Sequence, residues 1–148
     1  MVSPNLPPEH TDPRTHIFYR AGYKYQLARE YRCLTGILPE RAIRTQFLTL
    51  DLVGELTIRR GYAWNGADVI PDDKEVMRAS LVHDALYQLL RDGHLEQKWR
   101  LDADQILMAI CIEDDLSPTY AQAIFAAVRM GGGPAADPAN AHPVLQAP

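Results

Sequence analysis

The chain is short of cysteine, of unbroken apolar runs and of basic charge, and each shortage argues against a class of protein. Only Cys33 and Cys111 occur among 148 residues, in unrelated contexts without C-x-x-C spacing. A disulfide scaffold or a cysteine zinc site is therefore disfavoured, and two reduced thiols in a cytoplasmic chain are expected, with a single bridge between them left open. The longest mainly apolar stretches, within residues 76–90 and 106–130, are broken by charges. Neither reaches the roughly 20 apolar residues a membrane span requires. Lysine and arginine number 15 against 19 aspartates and glutamates, a net charge of −4. A dedicated nucleic-acid binder carries a basic face for phosphates, so nucleic acid is not the expected partner. The opening "MVSPNLPPEHTDPRTH" also lacks the basic-then-apolar layout of a secretory signal.

What remains is an ordinary globular composition, 47% hydrophobic and 23% charged, in a length that suits one domain. Pro4, Pro7, Pro8 and Pro13 crowd residues 1–15, which read as a flexible arm. From Gly131 the tail "GGGPAADPANAHPVLQAP" is rich in Gly, Pro and Ala. Such residues bury too little surface to offset ordering entropy, so residues 131–148 are expected to be disordered. The domain is thus drawn at residues 16–130.

Within it the pattern changes once. From Ile17 to about Tyr62, aromatic and β-branched residues alternate in short runs such as "YKYQLAREYRCL", "TQFLTLDL" and "ELTIRRGYAW", the signature of strands. Gly54 sits where a hairpin turn would join two of them. Pro39 makes "TGILPERAIRT" a loop or short helical turn. After Pro71 the spacing becomes helical. One helix is predicted from an Asp72 or Asp73 cap to about Arg91, ended by Gly93, and a second over residues 95–114. A third starts at Ser117-Pro118 and is stopped by the glycines at 131–133. The fold class expected is α+β, a small antiparallel sheet followed by three helices.

The first helix carries "RASLVHDALYQLL", a His-Asp pair in an apolar stretch. Val76, Ala79, His83, Tyr87 and Leu90 share one face, and Val82, Leu86 and Leu89 form a row beside it. Asp84 lies about 100° further round. If the second helix returns antiparallel across the link at 91–94, Asp104 comes level with His83. The rises from the link are roughly 12 and 13.5 Å. An Asp104 carboxylate on one ring nitrogen would fix the tautomer and leave the other nitrogen as base or metal ligand. Asp84 would then be a free carboxylate for calcium or a shared transition metal, and Tyr87 a hydroxyl donor. Just before this helix, "GYAWNGADVIPDD" reads as a strand-to-helix connection with an Asn65-Gly66 turn and a capping aspartate. Its other reading, an oxygen-lined metal loop, makes Asp68 a third candidate ligand beside Asp84 and His83. Arg59, Arg60 and Arg78 read as scattered basic residues on solvated faces.

These segments resemble known families. A strand ending in "GYAWNGADVIP", a helix bearing "RASLVHDALYQLL" and a helix bearing "ADQIL" resemble, over about residues 45–112, a family of short phage and prophage proteins catalogued as domain of unknown function 1353. Asn65 stands where that family's loop often has Asp, and Asp68 where it often has Ser. The resemblance implies a phage or prophage origin and no particular activity. "HDALY", with Asp104 on the next helix, is also similar to the paired helices of secreted phospholipase A-two. That likeness implies His83 as base, Asp84 as calcium ligand, and Tyr87 and Asp104 as supports, although the disulfides and glycine-rich calcium loop of that family are absent. "SLVHDAL" looks like the metal-binding dyad of HD-domain phosphohydrolases, whose further histidine has no counterpart on an earlier helix here. The expectation is a metal-assisted hydrolase of an ester or phosphoester, with catalytic residues His83, Asp84, Tyr87 and Asp104 and a divalent metal as cofactor. The competing expectation is a non-enzymatic phage accessory or virion-associated protein that meets other phage proteins through its terminal arms and uses the cluster as a structural polar network.

Overall fold

The computed structural model describes residues 17, 19–20, 25–65 and 73–141. The arm at 1–15, the turn residue Gly66, Asp68 and Asp72 fall outside these residues. The fold is α+β, with antiparallel strands followed by helices. The chain divides into two compact units between Asn65 and Gly66.

Among its described residues the first unit holds seven short strands in two small sheets. Strands β1 (Tyr19–Arg20), β2 (Tyr25–Leu27) and β7 (Ala63–Trp64) form the order β1-β2-β7. Strands β3 (Tyr31–Leu34), β4 (Ile43–Arg44), β5 (Leu48–Leu50) and β6 (Glu55–Ile58) form the order β3-β6-β5-β4. Every pairing is antiparallel. The period of two places Tyr31, Ile58 and Leu48 in one cross-strand row and Leu56, Leu50 and Ile43 in the next, and all six are buried. Arg32, Thr57, Thr49 and Arg44 pair along the opposite, more exposed face. A register slip of one residue would exchange these faces, so burial fixes the pairing. At the β5–β6 turn the Asp51 carboxylate accepts from the Val53 and Glu55 amides at 3.0 and 2.9 Å, and Gly54 takes φ 86°. Only glycine fits there, because an added Cβ would stand 2.9 Å from the Ile37 carbonyl. Trp64 is buried and stacks on Tyr62, as a core aromatic.

The second unit is helical. It contains α1 (Lys74–Arg91), α2 (Arg100–Glu113), α3 (Pro118–Gly131) and the single turn α4 (Gly133–Ala136), with 3-10 turns at Gln97–Trp99 and Pro138–Asn140. The expected second helix thus starts later, because residues 97–99 wind as a tighter turn. Asp73 stands at the N-cap of α1 but makes no side-chain cap bond. The stop is as read: Gly93 takes φ 77°, its amide bonds to the Leu90 carbonyl and that of His94 to Leu89. This six-to-one and five-to-two pair closes the orphan carbonyls. The α2 terminus repeats the pattern with Asp115 in the left-handed position at φ 72°, so the motif needs no glycine. Ser117 caps α3 by accepting from the Tyr120 amide at 3.2 Å, with Pro118 behind it.

Two sequence expectations are corrected here. Arg78 is no solvated cation: it is 5% exposed and grips Asp114 with Nε and Nη2 at 3.0 and 2.9 Å, while Nη2 also meets Glu113. That fork pins the start of α1 to the end of α2. The tail is likewise ordered as far as Ala141. Ala136 is fully buried, Gln97 Nε2 donates to its carbonyl at 2.7 Å, and Arg91 Nη1 donates to the Ala135 carbonyl. The segment has few apolar side chains of its own, and its backbone is tied down by polar side chains from elsewhere.

Candidate functional site

The site lies wholly in the helical unit. His83 and Tyr87 are one turn apart on α1, as Arg100 and Asp104 are on α2, so each helix presents two polar groups on one face. His83, Tyr87 and Asp104 are 3%, 3% and 0% exposed. Asp104 Oδ1 lies 2.7 Å from His83 Nε2 and accepts from the Tyr87 hydroxyl at 2.6 Å. The other oxygen, Oδ2, accepts from Arg129 Nη1 at 2.7 Å. Arg100 donates from Nε to the Tyr87 hydroxyl at 3.1 Å, and from Nη2 to the carbonyls of Val128 and Arg129 at 3.0 Å each.

The donors around Asp104 set its charge. Burial is the strongest influence on Asp104 and pushes its pKa up, but the bonds from His83, Tyr87 and Arg129 together outweigh it and hold the carboxyl below its ordinary value of 3.8. Asp104 is therefore an ionised acceptor. An ionised carboxylate donates nothing, so the hydrogen in the contact belongs to His83 Nε2. In the neutral ring the lone pair then sits on Nδ1, and among the described residues none bonds to that nitrogen. Tyr87 moves the opposite way. Burial first, then the bond to Asp104, raise its hydroxyl well above the usual tyrosine range despite Arg100, so it stays a donor. Its ring also packs on His83, with centroids 4.1 Å apart.

The antiparallel return of α2 thus brings His83, Tyr87 and Asp104 together. Asp84 sits next along α1, half-buried. Asp68 lies outside the described residues. Among those described, no three His, Cys, Asp or Glu side chains gather as a metal-binding group. Arg100, Arg129 and Gly132 were not legible as site residues. Arg100 had a signal, standing four residues before Asp104 on the same helix face. Arg129 had none, because it reaches Asp104 only through the packing of α3. Gly132 abuts the site so closely that a Cβ there would meet the Tyr87 hydroxyl at 2.7 Å.

No protein-family model, no curated protein and no solved structure matches this chain.

Proposed function

We propose that the chain is a hydrolase of ester or phosphoester bonds with His83 as general base. The observation that carries this reading is the orientation of the imidazole: Nε2 is committed to a carboxylate that takes two further donors, which turns Nδ1 away from Asp104. In this reading Nδ1 takes a proton from water as its oxygen attacks the carbonyl carbon or phosphorus. Asp104 stabilises the imidazolium that results, and the proton then passes to the leaving oxygen. A purely structural histidine gains most when both ring nitrogens are bonded.

Asp84, with Asp68, is the proposed carboxylate pair for a divalent cation, calcium or a transition metal, whose chemistry would be polarisation of the scissile group. The described residues supply only Asp84 of that pair and do not by themselves complete a cation site, so no step is routed through it. The likeness of "GYAWNGADVIP", "RASLVHDALYQLL" and "ADQIL" to the phage family supports a phage or prophage origin, with other phage proteins as partners of the terminal arms. The burial of His83 and Asp104 favours a second reading, a polar network that fixes helix pairing in a non-enzymatic phage protein.

A panel of p-nitrophenyl esters and bis(p-nitrophenyl) phosphate separates the two, run beside calorimetric titration of calcium, magnesium, manganese and zinc. Turnover by wild type that falls by about 10²–10⁴ in His83→Gln is expected. Cation binding lost in Asp84→Asn would add the metal. A folded wild type without turnover and without cation binding would leave the network as packing.

A further inference from the structure

Four of the residues around the base form a closed ring of hydrogen bonds. Arg100 Nε donates to Tyr87, Tyr87 donates to Asp104 Oδ1, Arg129 Nη1 donates to Asp104 Oδ2, and Arg100 Nη2 donates to the Arg129 carbonyl. The ring draws on all three long helices, Tyr87 from α1, Arg100 and Asp104 from α2 and Arg129 from α3. Among the described residues His83 hydrogen-bonds to it through Nε2 alone. Holding three helices together requires the ring but not the pendant imidazole.

The two carboxylate oxygens are not equivalent. Oδ1 carries His83 and Tyr87, whereas Oδ2 is held by Arg129 alone among the described residues. A carboxylate gripped at one oxygen can swing about its Cβ–Cγ bond and exchange its oxygens. Gripped at both, it has one plane. Arg129 is itself restrained, since Arg100 holds its carbonyl and that of Val128, and Gly132 brings the chain against Tyr87 without a side chain.

We propose that Arg129 is a positioning residue for the His83 base: by fixing Asp104 through Oδ2 it sets the orientation and tautomer of the imidazole. The catalytic part of this statement rests on the hydrolase reading, and the structural part does not. Arg129 thus acts through Asp104, which in turn orients His83.

The test uses full-length protein labelled with nitrogen-15 at histidine, the His83 resonances being assigned by their loss in His83→Gln. Wild type is expected to show a protonated Nε2 and a bare Nδ1 with well separated shifts. In Arg129→Met the two shifts should move toward each other as the freed carboxylate lets the ring exchange tautomers, and Arg129→Lys should recover most of the separation. On an ester or phosphodiester turned over by wild type, kcat in Arg129→Met should fall roughly 10–100-fold, with KM changed less than about twofold. Arg129→Gln, shorter and neutral, carries the same test if Arg129→Met does not fold. A folded Met or Gln variant with His83 resonances identical to wild type overturns the proposal. Should wild type hydrolyse nothing, the spectra alone judge it: a shift upholds the positioning role and removes only the hydrolase reading.

Discussion

An ionised carboxylate with no exposure is tolerated only when its lone pairs are filled, and Asp104 takes three donors, one of them cationic. Asparagine at this position keeps the shape but offers one oxygen to those three donors and turns an amide N–H toward one of them. Asp104→Asn is expected to cost about 3 kcal/mol, the low end of what breaking a buried pair costs, because Arg129 is 33% exposed and can turn to water. The pH dependence follows from the lowered pKa of this carboxyl. A carboxyl whose folded value lies below 3.8 contributes its full stability above the unfolded value and loses it as pH falls through the folded one. Urea unfolding of wild type and Asp104→Asn across a pH series should therefore show a gap that is constant near neutrality and narrows only below the ordinary carboxyl value. A gap independent of pH would mean that the charge on Asp104 contributes nothing. The pairing of His83 with Asp104 was legible because helix rise and a four-residue link are enough to bring two residues level. Arg129 was not, since its reach depends on where α3 lies against α2, and no spacing encodes that.

Helix ends were the clearest part of the sequence and also where it misled. Ser117-Pro118 and Gly93 act as they read, since each carries its own local chemistry. The three glycines at 131–133 were read alike as a stop, but their surroundings differ. Gly131 has open space around its Cβ position, whereas a Cβ on Gly132 would stand 2.5 Å from the Val128 carbonyl and 2.7 Å from the Tyr87 hydroxyl. Gly131→Ala is expected to be neutral or to stabilise by up to about 1 kcal/mol, through helix propensity. Gly132→Ala is expected to cost about 1–3 kcal/mol, because the new methyl meets backbone on one side and the site on the other. Thermal unfolding of the two variants side by side checks the contrast. Equal values would mean that the approach of Gly132 to Tyr87 is relaxed at no cost.

At the scale of the whole chain the question is where folded structure ends. Composition placed the end at residue 130, on the sound ground that Gly, Pro and Ala bury little. That argument counts only what a segment brings. It misses what the rest of the protein supplies, here donors from Arg91 and Gln97 to the carbonyls of Ala135 and Ala136, and a site that encloses Ala136. Asn140 adds an internal bond to the Pro134 carbonyl at 2.9 Å. Removing residues 131–148 would leave the Gln97 amide and the Arg91 guanidinium without these acceptors, and would expose the helical surface beneath Ala136. The expected loss is about 2 kcal/mol from a few net hydrogen bonds and a small apolar area, or roughly 4–8 °C in Tm for a chain of this size. A chain ending at residue 141 keeps every contact named, so comparing it with one ending at residue 130 isolates them. If both melt together, the segment is held by the helices without supporting them. If the shorter chain melts first, the ordered domain reaches at least Ala141, and the C-terminal turn helps to hold the helices that carry His83 and Asp104.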